Sequence, residues 1–252
     1  MTSPARRFRE QTLARLALEK AGGEGIAPER PATGAEATQY ELILAELGED
    51  LNRLKDIQST ERKIDAKREM IARYDAHVDA TLQAATETNT ALQDEVLVTM
   101  MLWNIDIANF TRALDLAEHV LRYGLRLPER FQRTPATLLV EEIAEAALAA
   151  HGQAIAFDIA VLQRTEQLTA DQDMPDIVRA KLAKALGFHM VHFADAQDQS
   201  ETAVAGAGTA ARTAALEYFR RALALEPKIG VKKDIERLQA ALAKAAPPPP
   251  QE

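Results

Sequence analysis

The chain has no cysteine, which removes thiol catalysis, disulfide frameworks and Cys-type zinc sites together. A reducing compartment suits it. No run approaches the roughly 18 apolar residues that a membrane span requires, and the opening MTSPARRFREQ carries arginines with no apolar stretch behind them. A soluble protein that is not secreted by the ordinary route is therefore expected. Also missing are a GxxxxGK[ST] phosphate loop, a GxGxxG fingerprint and a GxSxG nucleophile elbow, so nucleotide hydrolysis or serine-hydrolase chemistry would need an unfamiliar site. Alternating strand patterns between turn residues are absent as well.

What is present is helical signal: abundant alanine, short β-branched runs and apolar residues three or four apart. The expected fold class is all-α, with an N-terminal helical, coiled-coil-like region followed by a stack of tetratricopeptide-like helical hairpins. Residues 21–38, AGGEGIAPERPATGAEAT, concentrate glycine, proline and small polar residues and read as a flexible linker. The expected organisation is a basic segment with its linker over 1–38, a helical region over 39–93, a helical-hairpin domain over 94–242, and a disordered tail over 243–252 ending in PPPPQE.

The net charge of −8 argues against a simple basic nucleic-acid module, yet the charge is unevenly spread. Residues 1–20 carry a net +3 through Arg6, Arg7, Arg9, Arg15 and Lys20, against Glu10 and Glu19. Residues 53–73 carry another +3 through Arg53, Lys55, Arg62, Lys63, Lys67, Arg68 and Arg73, against four acids. From 44 to 78, Leu44, Leu47, Leu51 and Leu54 step by three and four, and Ile64, Ile71 and Val78 step by seven, which is coiled-coil-like spacing and marks these seven residues as candidates for self-association. The break QSTER, 58–62, offers Ser59 or Thr60 as an N-cap, so one long helix competes with a helix-turn-helix.

The stretch MMLWNIDIANFTRALDLAEHVLRYGL, 100–125, fits two antiparallel helices turning near Asn104 to Asn109 and stopping at Gly124. Trp103, among Met100, Met101, Leu102, Ile105 and Ile107, reads as core rather than as a base-stacking platform. Near the C-terminus, Ala215, Phe219, Ala222 and Pro227 have the spacing of the second helix of a tetratricopeptide repeat, and Leu186-Gly187 matches the Leu-Gly pair of its first. The Ala/Gly-rich stretch 195–210 is long for a repeat turn and reads in part as a mobile insertion.

Three sets of residues carry candidate metal chemistry. His189 and His192 with Asp195 have helical ligand spacing, but read more simply as boundary residues; Asp171, Asp173 and Asp176 read as favourable charge at a helix start. Glu61-Arg62-Lys63 and Asp65-Ala66-Lys67 superficially pair carboxylates with lysines as metal-dependent nucleases do, but read as a solvated face. No catalytic or metal residue is assigned.

The start MTSPARRF, the segment 98–135, EEIAEAALAAH, LTADQDMPDIVRAKLAKALGF and GVKKDIERL together resemble the terminase small subunit of temperate contractile-tailed phages that package DNA from cohesive-end sites. The resemblance runs over residues 94–240 in shared order. It implies a protein of the host cytoplasm that binds viral double-stranded DNA, assembles into a homo-oligomeric ring and delivers the DNA to a terminase large subunit. It implies no cofactor of its own, with ATP and Mg on that large-subunit partner. The family also carries the label of an endonuclease subunit, for which these residues show no constellation, so cleavage is expected of the large-subunit complex; the alternatives are an intrinsic metal-dependent DNA endonuclease and a tetratricopeptide-like protein-interaction scaffold with no DNA role.

Overall fold

The computed structural model describes residues 4–21, 27–30, 32–200, 202 and 204–245, the side chains of 18–21 and 245 excepted. Eleven helices and no strand occur among them, so the chain is all-α. Close contacts divide it into two compact units, 1–135 and 136–252. The sequence reading set boundaries after 38, 93 and 242, none of them at 135. The division differs because the hairpin of residues 95–122 packs onto the helices before it.

The first unit holds α1 (Pro4–Ala21), α2 (Ala35–Asp56), α3 (Thr60–Ile71), α4 (Asp75–Thr88), α5 (Glu95–Asp106) and α6 (Phe110–Arg122). Every residue of α5 from Val96 to Ile105 is buried, and α2, α3, α4 and α6 all pack against it. A helix wrapped in this way is apolar all round, which is why 96–105 shows no polar face. Trp103 is 3% exposed and meets Tyr74 edge-on at 6.1 Å, as expected of a core residue. The turn into α6 is closed by Asn104: its backbone carbonyl accepts from the Asn109 N–H at 2.8 Å, and its side-chain oxygen accepts from Asn109 Nδ2 at 2.8 Å.

The competing readings at 58–62 resolve in favour of a break. The helix α2 stops at Asp56, and Ser59 caps α3 by accepting from the Arg62 N–H. The period-seven series is interrupted too, because α3 ends at Ile71 and Val78 belongs to α4. No breaker residue marks this turn. Tyr74 makes it, buried to 1% with its hydroxyl donating to Asp50 of α2 at 2.7 Å. A continuous coiled-coil helix over 64–82 is thereby corrected to two helices sharing one core.

The expected linker is also partly anchored. Ala27 donates its N–H to the Tyr123 carbonyl at 3.0 Å, and Arg30 pairs with the buried Asp94. The linker residues 22–26 and 31 lie outside the described residues, as do 246–252 of the expected tail, whereas 243–245 finish a helix.

The second unit holds α7 (Pro135–Gly152), α8 (Ile159–Leu168), α9 (Asp176–Gln199), α10 (Ala207–Leu225) and α11 (Lys232–Ala245). Helices α9 and α10 lie close together along much of their length. Small residues permit it. A Cβ on Gly187 would stand 2.5 Å from the Phe219 ring, and one on Gly208 would stand 2.6 Å from Asp198. Much of the expected mobile insertion is therefore helix: α9 runs on to Gln199, and Arg212 of α10 reaches back to Asp195 at 3.2 Å and Asp198 at 2.5 Å. Ala215, Leu216, Phe219, Val231 and Leu238 form a core joining α10 to α11.

Candidate nucleic-acid interface

The basic residues singled out by sequence all fall in the first unit, and they differ in availability. On α1, Arg7 and Arg9 are exposed with no ion pair among the described residues, while Arg6 lies 3.8 Å from Glu10 and Arg15 is also engaged. Phe8, 71% exposed, stands between Arg7 and Arg9. The sequence reading missed it, although an aromatic between two arginines is a signal for a polyanion that also offers flat bases. Ala14 and Ala17 hold the helix by packing on Ala84 and Leu92.

Arg53 and Arg62 are likewise exposed without an ion pair among the described residues. Three other candidates are engaged inside the unit: Lys67 with Asp106 at 2.5 Å, Arg68 with Asp65 at 2.9 Å, and Arg73 with Asp50 at 2.6 Å. Lys55 and Lys63 stand with Lys67 and Arg130 around a groove of about 360 Å³ whose apolar lining includes Leu51, Leu54, Leu102, Trp103 and Phe131. Thr99 also lines it; its buried hydroxyl has no hydrogen-bond partner, a deficit worth about 1–3 kcal/mol for a group fully removed from water. Arg130 and Phe131 were not anticipated, because they follow the hairpin in an irregular segment with no periodicity to mark it.

The self-association candidates are distributed through the same helices. Leu47, Leu54 and Val78 are 1%, 7% and 2% exposed, so the unit's own core takes them and they do not face a second chain. Leu44, Leu51, Ile64 and Ile71 are half-buried. For Leu47, Leu54 and Val78 the spacing reflects helix packing within one chain, which has the same periodicity as packing between chains.

Asp94 organises the centre of this unit. It is fully buried, accepts from the Leu97 N–H at 2.9 Å as the N-cap of α5, contacts His77 Nε2 at 2.8 Å and pairs with Arg30. Burial alone would raise its pKa, but the charges and hydrogen bonds of His77, Arg30 and the Leu97 N–H outweigh it and hold the carboxyl well below the usual range. Tyr40, under Arg30 at 4.1 Å, is pushed up by burial and by Asp94. These groups satisfy one another inside the core, which makes them a structural network. His119 is buried with an unpartnered Nε2, and burial lowers its pKa to about 4.

In the second unit, His151, His189 and His192 line an apolar cavity of about 220 Å³ together with Phe188, Ile155 and Phe157. His151 Nδ1 lies 2.9 Å from His192 Nε2, and burial together with His192 lowers the pKa of His151 and of His189. Asp195 is not brought to these histidines, since Arg212 holds it. Among the described residues no group of three or more His, Cys, Asp or Glu side chains is placed to hold a metal ion, so neither the Asp171, Asp173 and Asp176 set nor the Glu61 and Asp65 triplets converge. No helix among them is long and apolar enough to cross a membrane.

The architecture so far is that of an all-helical protein. Comparison with known proteins specifies it. The family model described as phage small terminase subunit matches residues 44–177, and the chain belongs to that family. It is 36% identical over 250 residues, 99% of this chain and 90% of the other, to a protein of Escherichia phage P2 named "Terminase, endonuclease subunit". It is 24% identical over 218 residues, 83% of this chain and 72% of the other, to a "Probable terminase, endonuclease subunit" of Haemophilus phage HP1. No solved structure matches the chain.

Proposed function

We propose that this chain is the DNA-recognition and assembly subunit of a phage packaging terminase in the host cytoplasm. It binds viral double-stranded DNA at the packaging site, oligomerises into a ring, and brings the DNA to the large subunit. ATP hydrolysis with its Mg belongs to that partner. Family membership supports the packaging role, and the observation that carries the DNA role is the display of Arg7, Arg9, Arg53 and Arg62 as exposed cations free of ion pairs among the described residues. Arg6, Arg15, Lys55, Lys63, Lys67, Arg68 and Arg73 add positive potential around them. A ring multiplies a few weak phosphate contacts per subunit into useful affinity. The second unit serves as a tetratricopeptide-like stack of hairpins offering protein-binding faces, a reading supported by the Gly187–Phe219 approach and by Ala215 and Ala222, both fully buried.

The test is to change Arg7 and Arg9 to Ala, and separately Arg53 and Arg62 to Ala, and to measure binding to end-site DNA across salt concentrations. Each phosphate contact contributes about −0.9 to the slope of log K against log salt, so losing two should flatten it by about two units per bound subunit. Unchanged affinity and slope in both variants, with assembly intact, refute this DNA surface. A second reading, intrinsic nuclease activity, has the names of the two relatives in its favour. Mg²⁺-dependent nicking of DNA by the purified chain alone, abolished by chelator, would establish it.

A further inference from the structure

We propose that the groove bounded by α2, α3 and α5 is the socket for a second copy of this chain, and that an acidic stripe on the N-terminal half of α2 is the plug that enters it. The proposal rests on the assembly reading above and names its contact. Glu41, Leu42, Ala45, Glu46 and Glu49 are all exposed, and at 100° per residue they share an arc of roughly 140° on α2. Leu42 stands 57% exposed among these carboxylates, whereas Ile43, Leu47, Asp50 and Leu54 supply the buried face of the same helix. The stripe is therefore surplus to the unit's own packing. Its chemistry is an apolar side chain framed by negative charge.

The socket has the complementary composition. Lys55 and Lys63 flank an apolar floor that includes Leu51, Trp103 and Phe131, while Asp106 already answers Lys67 and Glu95 stands 3.9 Å from Arg130. A volume of about 360 Å³ admits a leucine side chain, and the lysines meet the carboxylates around it. Plug and socket lie on one helix, about 20 Å apart between Leu42 and Lys55 by helical rise. Leu51 and Lys55 also project roughly 130° around the α2 axis from the centre of the stripe. Because plug and socket face so far apart around α2, one copy cannot engage both sites with a single two-fold-related partner. Each copy instead gives its plug to one neighbour and receives another's, the heterologous contact that closes into rings.

The experiment uses the full chain and reads assembly by sedimentation velocity at micromolar concentration. The plug variant carries Glu41→Lys and Glu49→Lys, leaving Glu46, whose charge acts on Arg73, in place. The socket variant carries Lys55→Glu and Lys63→Glu. Each alone should be monomeric with unchanged helical content. An equimolar mixture of the two should assemble again, since the exchanged plug of one meets the exchanged socket of the other and the unchanged plug meets the unchanged socket. All four changes in one chain should restore the wild-type species. Assembly that persists in either variant, or that the four-fold exchange fails to restore, overturns this contact while leaving the assembly reading in place. A strictly monomeric wild type overturns both. A socket variant that assembles normally but loses DNA binding overturns the proposal by assigning the groove to nucleic acid.

Discussion

Replacing Asp94 with alanine removes one carboxylate that three parts of the first unit share. The α5 N-cap loses its acceptor for the Leu97 N–H, worth about 1 kcal/mol. Arg30 and His77, 13% and 9% exposed at their side chains, lose the counter-charge at the centre of the unit. Breaking a buried pair by removing one partner costs about 3–5 kcal/mol, and because cap and pair use the same group the losses overlap rather than add. The expected destabilisation is therefore about 3–5 kcal/mol, a fall of roughly 2 M in the urea midpoint for an ordinary m-value. Trp103 is the sole tryptophan and sits in this unit, so its emission during urea titration reports this unit and not the other. Asp94→Asn keeps the shape and an acceptor for Leu97, and should fall between wild type and Asp94→Ala. A loss below about 1 kcal/mol for Asp94→Ala would show that the cap alone matters and would refute the shared-charge argument.

Other expectations follow from the same packing and charges. His119, its pKa lowered to about 4 in the fold, binds a proton more readily when unfolded, so its contribution is present above about pH 6.5 and lost as pH falls toward 4. Stability of the first unit should decline by up to about 3 kcal/mol across that window, and His119→Gln should flatten the decline. Asp94, also depressed, adds a further acid-side loss at lower pH. Gly187→Ala places a methyl 2.5 Å from Phe219 and should destabilise the second unit by about 1–3 kcal/mol in thermal unfolding, with Phe219→Leu in the same chain recovering part of it; no change would mean the helices separate freely. If α11 meets the large subunit, Lys232→Glu with Lys233→Glu should abolish co-purification, both residues being exposed. Deleting the helix would not test this, because Val231 and Leu238 belong to the core.

Helix existence was legible because local periodicity carries it, and so was the hairpin at 95–122, where Asn104, Asn109 and Gly124 supply turn chemistry within a few residues. What escaped was set by distant partners. The end of α3 depends on Tyr74 reaching Asp50, and the anchoring of 27–30 depends on Arg30 reaching Asp94. Neither separation leaves a periodic trace. The leucine series of α2 shows the same limit in another form, since spacing defines a face but not whether the neighbour lies in the same chain. Charge was equally ambiguous. Eleven basic residues looked alike in sequence, and only tertiary ion pairs such as Lys67–Asp106 and Arg73–Asp50 separate those engaged within the fold from those that face outward.

We expect this family member to read packaging DNA as an assembled subunit. The most direct test is fluorescence anisotropy of the purified full chain on a labelled end-site duplex and on a scrambled duplex of equal length, with sedimentation velocity on the same samples. The account expects an assembled species that prefers the end-site duplex and loses affinity steeply as salt rises. An assembled chain that binds neither duplex at low salt would contradict it.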